Sequence, residues 1–149
     1  MAQHRFASLI GHSDDNAGED TNRLKITFHH NWWGERILER MPRVRFGQVH
    51  VFNNYFGAAG NNYAVRAGRG AQLLVEGNYF DNAKNPHVFN NENDQKTANI
   101  TARNNVYNGG GGERAIGGGG KAFTAPPYRA VIEPPATLPA AIRRCAGPH

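Results

Sequence analysis

One cysteine and no long apolar run occur in the 149 residues. The single Cys145 cannot close an internal disulfide, so no covalent framework holds the chain, and the residue reads as a surface thiol. No segment approaches the roughly 18 apolar residues of a membrane span. The opening MAQHRFASLIGHSDD lacks the charged, apolar, small-residue succession of a signal peptide, so the expectation is a soluble chain with no export address of its own. Acidic side chains are also short: 12 Asp and Glu face 17 Lys and Arg, a net charge of +5. An anionic partner is implied, and nucleic acid, acidic polysaccharide and anionic lipid all satisfy that charge. The length suits one hydrophobic core and one domain.

A repeat fills the space these absences leave. The stretches ITFHHNWW, VHVFNNYF, LLVEGNYF and ITARNNVY each run from aliphatic residues into Asn followed by two bulky residues. Their aligned Asn31, Asn54, Asn78 and Asn105 are 23, 24 and 27 residues apart. Such a period means stacked units, because one strand cannot bury its apolar face alone. Val, Ile, Thr, Phe and Tyr favour strands, and the connections are rich in Gly and Asn. The fold class expected is all-β, a right-handed parallel β-helix, partial, with an irregular C-terminal tail. Residues 1–108 form its turns, and residues 109–149 a Gly-rich linker and a tail packed on them. Asn tolerates a left-handed bend, and its amide can bond its counterpart in the next turn as a ladder. Phe28, Val51, Leu74 and Ile100 are core candidates, and Trp33, Phe56, Phe80 and Tyr107 should stack just past the bend. Leucine-rich repeats are excluded by the missing Leu positions, and an ice-binding solenoid by the missing row of Thr.

Arginines cluster in one connection only, GERILERMPRVRFG. Arg43 and Arg45, two apart, share a face of an extended segment. Pro42 predicts a turn that carries Arg40 round to the same surface. A basic turn of this kind is either a solvated surface, with Glu35 and Glu39 as counter-charges, or an anion-binding site.

The stretches SLIGHSDD, KITFHHNWW, RMPRVRFGQVHVFNNYF and LLVEGNYF, in this order, resemble the C-terminal half of the pectate lyase family, and the tail PPYRAVIEPPATLPAAIRRCAGPH is similar to the end of those chains. The likeness covers nearly the whole sequence and implies the same parallel β-helix. It further implies β-elimination on polygalacturonate, with the first motif arginine, Arg40, as catalytic base. Arg45, five positions on, is the substrate-binding arginine, joined by Arg43 and Arg5. Loss of the C5 proton builds charge on the adjacent carboxyl, which a cation or fixed donors must stabilise. A guanidinium acts as a base only where burial and neighbouring positive charge favour its neutral form, and Arg45 is suited to hold a carboxylate by two parallel hydrogen bonds. The implied partner is an acidic polysaccharide, not nucleic acid or membrane, and the implied location is extracellular.

Two departures accompany the likeness. Phe6 stands where the family has a lysine, leaving the adjacent Arg5 as the nearby cation. Ca²⁺ is expected for the family, but its ligands come from upstream turns and are not present in this chain, so no metal-ligating residue is assigned. Asp14, Asp15, Glu19 and Asp20 match none of those ligands and read as a solvated acidic loop. A truncated form with weak or no activity is therefore expected. The alternatives are a fragment that binds acidic glycan without cleaving it and a calcium-independent pectin lyase. His29 and His30, adjacent on a strand, should point to opposite faces rather than pair on zinc. Trp32 and Trp33 suit either a sugar ring or the core. Gly109–Gly112 and Gly117–Gly120 lack a strand-to-helix setting for phosphate and read as flexible linker.

Overall fold

The computed structural model describes residues 5–111 and 114–146. The repeat resolves into four turns of a parallel β-solenoid. The first holds β1 (Leu9–Ile10), the short helix α1 (Ala17–Asp20), β2 (Lys25–His29) and β3 (Trp32–Trp33). The second holds β4 (Arg43–Val44), β5 (Gln48–Phe52) and β6 (Tyr55–Phe56), and the third β7 (Val65–Ala67), β8 (Gln72–Glu76) and β9 (Tyr79–Asp81). The fourth holds β10 (His87–Phe89), α2 (Glu92–Thr97), β11 (Asn99–Arg103) and β12 (Val106–Asn108). Corresponding strands pair in parallel to make three four-stranded sheets, β1-β4-β7-β10, β2-β5-β8-β11 and β3-β6-β9-β12.

Two consecutive residues divide the work of the bend. His30, Asn53, Gly77 and Asn104 take the left-handed conformation, with φ of 53°, 50°, 63° and 53°. The next residue in each turn is the ladder asparagine. The Asn31 Nδ2 donates to Asn54 Oδ1 at 2.9 Å, Asn54 to Asn78 at 3.0 Å and Asn78 to Asn105 at 3.0 Å. The acceptor oxygens also take the backbone N–H of the preceding ladder residue, so these polar groups are satisfied inside the coil. Gly77 is required: a Cβ there would collide with Ile132 of the tail, besides the strain of its positive φ.

Beside the ladder the predicted aromatic stack is present. Trp33 lies on Phe56 at 6.1 Å, Phe56 on Phe80 at 4.4 Å and Phe80 on Tyr107 at 5.4 Å, with interplanar angles of 15°, 12° and 6°. The core candidates divide differently from expectation. Phe28 and Val51 share a register column with Val75 and Ala102, and Ile100 one with Leu73, Val49 and Ile26, all facing inward. Leu74 belongs to the column of Thr27, His50 and Thr101 on the opposite face, so it is not a member of the central core. It is nevertheless fully buried, on the face where Phe123 of the tail meets His50.

Parts of the glycine runs pack closely against the coil, although nothing lies within 4 Å of a Cβ added at Gly111 or Gly117. Added Cβ atoms at Gly118, Gly119 and Gly120 would strike the backbone oxygens of Ala98, Lys96 and Thr97, so only glycine permits this approach at the α2–β11 junction. Gly110 likewise runs against the Ala83 backbone, while Gly112 lies outside the described residues. The tail ends in α3 (Leu138–Cys145), whose buried Leu138 and Ile142 pack with Tyr55 in a small second cluster.

Candidate functional site

The outer face of the β1-β4-β7-β10 sheet gathers the arginines. In β4 the side chains alternate: Val44 is fully buried, and Arg43 and the following Arg45 project the other way. Register places Arg66 of β7 directly beside Arg43, with Leu9 on its other side and Val88 beyond Arg66. Arg40 has a φ of 67° and precedes the cis Met41–Pro42 bond. Its guanidinium lies 4.1 Å over the Phe6 ring, and that of Arg5 lies 5.3 Å from the same ring. Arg5 also faces Glu39 at 3.9 Å.

The cluster is close enough to matter electrostatically. Burial, and after it the charge of Arg45, with smaller contributions from Arg66 and Arg40, holds the Arg43 pKa below the usual guanidinium value, against an opposing influence of Tyr63. Burial also pushes the Tyr63 phenol up, and Arg66 lies 3.6 Å over that ring. Three polar atoms of this face are buried without a hydrogen-bond partner among the described residues: Nε of Arg40, Arg43 and Arg66. Unsatisfied buried donors in such number at one place are uncommon in folded proteins.

Arg45 is already engaged. Its Nε donates to Asp14 Oδ1 at 2.5 Å and its Nη1 to the Gly11 carbonyl at 3.3 Å. Gly11 reaches this position with a φ of 82°, where a Cβ would meet the Arg45 backbone oxygen at 2.7 Å. The acidic loop is thus not simply solvated, because Asp14 neutralises Arg45, 31 residues further along the chain, and its carbonyl accepts from Arg69. Among the described residues no three His, Cys, Asp or Glu side chains converge to hold a metal ion.

Of the sequence candidates, Arg40, Arg43 and Arg45 are brought together, and Arg5 lies beside Arg40 across Phe6. Sequence reasoning missed Arg66 and Tyr63. Arg66 carries a signal, since it follows Arg43 by 23 residues, the spacing of the repeat; Tyr63 carries none of its own. The histidines depart from expectation. The left-handed φ at His30 turns its ring back beside that of His29, both are exposed, and their Nδ1 atoms are 2.9 Å apart. His29 stacks on Phe52 and His30 bonds Glu133 at 2.7 Å. Trp33 enters the core stack, whereas Trp32 is 41% exposed and stacks on Tyr55.

A family profile described as pectate lyase matches residues 1–110. The chain belongs to the pectate lyase family. It is 37% identical over 145 residues to pectate lyase B of Colletotrichum gloeosporioides, covering 97% of this chain and 41% of that protein. It is 47% identical over 77 residues to the probable pectate lyase A of Neosartorya fischeri, covering 52% and 23%. Against pectate lyase E of Dickeya chrysanthemi, identity is 44% over 89 residues, covering 54% and 22%. The chain therefore spans less than half the length of these relatives. A polygalacturonate lyase fused to a self-assembling amphipathic peptide superposes with a TM-score of 0.63 at 26% identity, over 95% of this chain and 38% of that one. A pectate lyase variant from Xanthomonas campestris shares the fold, with a TM-score of 0.60 at 20% identity over 97% and 48%.

Proposed function

We propose that the arginine-lined face binds polygalacturonate and carries the β-elimination layout of a pectate lyase, with Arg40 as base and Arg45, Arg43 and Arg5 as substrate cations. The observation that carries this reading is the set of unsatisfied Nε donors on Arg40, Arg43 and Arg66. A polymer with a carboxylate on every sugar supplies acceptors at regular intervals along such a row, with charge-assisted bonds as the reward for desolvation. In the reaction, Arg40 takes the C5 proton. The electron pair becomes the C4–C5 double bond, the C4–O4 bond breaks, and the departing oxygen takes a proton from solvent. The guanidiniums around Arg43 stabilise the charge that grows on the carboxyl group.

Phe6 works against turnover. Its ring lies against the Arg40 guanidinium at 4.1 Å, and a phenyl group cannot neutralise a substrate carboxylate. Calcium is a property expected of the family, but the residues present do not fit it: Asp14 is held by Arg45, and Glu19 accepts from Asn16. No step is therefore routed through a metal ion. Elimination by this chain is expected to be slow or absent, while binding persists. The second reading, a glycan-binding module without turnover, is favoured by Phe6 on Arg40. An acidic wall polysaccharide as substrate also implies an extracellular setting.

Calorimetry with trigalacturonate on the wild type and Arg45→Ala tests the groove. Arg45→Ala should bind at least about fivefold more weakly, and wild-type affinity should fall as salt rises, since ionic contacts are screened beyond about 8 Å at physiological ionic strength. Equal affinity for both proteins would count against the groove. Absorbance of unsaturated product at alkaline pH, with Arg40→Ala alongside, separates the two readings: slow turnover that needs Arg40 supports the enzyme, and none supports the binding module.

A further inference from the structure

The first bend differs from the other three in the residue it holds. Asn53, Gly77 and Asn104 take the left-handed conformation at the later bends, whereas the first uses His30, with a φ of 53°. That angle sets the His30 ring edge-on to the ring of His29, the last residue of β2, with centroids 5.2 Å apart and planes at 89°. Their Nδ1 atoms face each other at 2.9 Å. Both residues are exposed, and they border a surface cavity of about 440 Å³ whose lining also includes Thr27, Tyr128, Arg129 and Glu133.

The contacts of the pair assign its protons. His30 Nε2 lies 2.7 Å from Glu133 Oε1, and a carboxylate only accepts, so this nitrogen carries the proton. The neutral ring then offers a lone pair at Nδ1, which accepts the Nδ1–H of His29. A carboxylate behind the far nitrogen of an imidazole is the arrangement that orients a metal-bound histidine and raises its basicity. His29 is oriented as well, by stacking on Phe52 at 5.1 Å. Two imidazole nitrogens, each about 2.05 Å from one ion and about 90° apart around it, lie about 2.9 Å from each other, which is the separation already present.

We infer that His29 Nδ1 and His30 Nδ1 chelate a divalent transition-metal ion of the class that prefers imidazole, Cu²⁺, Ni²⁺ or Zn²⁺, with Glu133 as a positioning residue. Among the described residues no group of three His, Cys, Asp or Glu side chains converges on one point, so water from the cavity fills the other coordination positions. When the ion enters, the proton on His29 Nδ1 passes through solvent to Nε2 of the same ring, and each exposed ring turns to aim its lone pair at the metal. Tetragonal Cu²⁺ and Ni²⁺ suit the angle, and tetrahedral Zn²⁺ needs the nitrogens about 0.4 Å further apart. Ca²⁺, which takes oxygen ligands, does not suit the pair. Because the histidines belong to the first bend and Glu133 to the tail, the bound ion fastens one to the other. The site is separate from the arginine face and stands or falls without it.

The test is calorimetry of the whole chain with Ni²⁺, and with Ca²⁺ for comparison, on the wild type, His29→Gln, His30→Asn and Glu133→Gln, each first shown by thermal melting without metal to fold. Asn at position 30 keeps the residue type that two of the other bends use. The wild type should hold a Ni²⁺ ion that excess Ca²⁺ does not displace. His29→Gln and His30→Asn should each lose that ion or bind it at least about tenfold more weakly, and Glu133→Gln should bind it about tenfold more weakly, as expected for an outer carboxylate. Ni²⁺ at a hundredfold excess over Kd should raise the melting midpoint of the wild type by about 5 °C and leave that of His30→Asn in place. If either histidine variant keeps the wild-type affinity and stoichiometry, or if the wild type binds no Ni²⁺ below about 1 mM, the site is overturned. If only Glu133→Gln matches the wild type, the chelating pair stands and the positioning role of Glu133 is overturned.

Discussion

On the outer face of the β2-β5-β8-β11 sheet, polar side chains are joined end to end. Arg103 Nε donates to Glu76 Oε2 at 2.5 Å, the other Glu76 oxygen bonds His50 Nε2 at 2.8 Å, His50 Nδ1 meets the Tyr128 hydroxyl at 2.8 Å, and that hydroxyl meets Thr27 at 2.5 Å. On the outer face of the neighbouring β1-β4-β7-β10 sheet, the buried Nε donors of Arg40, Arg43 and Arg66 have no partner among the described residues. Both faces carry charge on the same scaffold, and the tail separates their fates. Tyr128 of the tail closes the chain of contacts on the second sheet, and Asn53 fastens the tail by donating to the Val131 carbonyl and accepting from Glu133 N–H. A satisfied buried network contributes stability and specifies one arrangement, whereas a row of unsatisfied donors is destabilising alone and becomes useful when an anion arrives. The first sheet is the place to look for function, and the second is a latch.

The sharpest way to break this contrast is Glu76→Ala. It strands His50 at 1% exposure and removes the counter-charge of Arg103, so urea unfolding should show a loss of about 3 kcal/mol with trigalacturonate affinity unchanged in the folded fraction. A loss below about 0.5 kcal/mol would remove the latch from the account. Asn54→Ala affects both faces, because this residue bonds Asn31, Asn78 and the carbonyls of Phe28 and Phe52 and so keeps neighbouring turns in register. The expected destabilisation is about 2 kcal/mol, read in the same way.

Acid should loosen the latch as well. Burial, only partly offset by the Glu76 hydrogen bond, holds the His50 pKa below the ordinary imidazole value, and burial does the same for His87 against its bond to the Ala115 carbonyl. The unfolded chain then binds protons that the native state refuses. Stability is fully present above about pH 6.5 and declines as the pH falls below it toward the native values, by at most about 1.4 kcal/mol per pH unit for each histidine. Denaturant midpoints between about pH 7.5 and 5.5 should fall, and less steeply in His50→Gln; a flat profile would contradict the assignment.

The smallest expected effect belongs to the open face. Asp14 occupies the Arg45 Nε that a uronate would otherwise use, so Asp14→Asn should tighten trigalacturonate binding about twofold to fivefold by calorimetry, as expected for a half-exposed ion pair. Weaker binding in Asp14→Asn would mean that the carboxylate orients Arg45 for the substrate rather than competing with it.

The period of 23 to 27 residues, the asparagine ladder, the aromatic stack and the arginine motif were all legible in the chain, because each couples a residue to its counterpart one turn away. In a stacked solenoid that neighbour is set by spacing alone, so a one-dimensional pattern carries three-dimensional information. The same reasoning reaches Arg66 from Arg43 once the spacing is applied outside the strands that revealed it. It does not reach contacts made by connections of irregular length. The Asp14–Arg45 pair spans 31 residues, the His50–Tyr128 contact 78 and the His30–Glu133 contact 103, and none repeats. Leu74 faces away from the core by strict alternation and is nevertheless fully buried, on the face where the tail meets His50. His29 and His30 share a side because one backbone angle at the bend is positive, and the glycine run at 118–120 is confined because α2 and the start of β11 lie against it. Local spacing sets which residues stack, while tertiary structure decides which outward charges find partners, since partners supplied by loops and the tail arrive from no fixed distance along the chain.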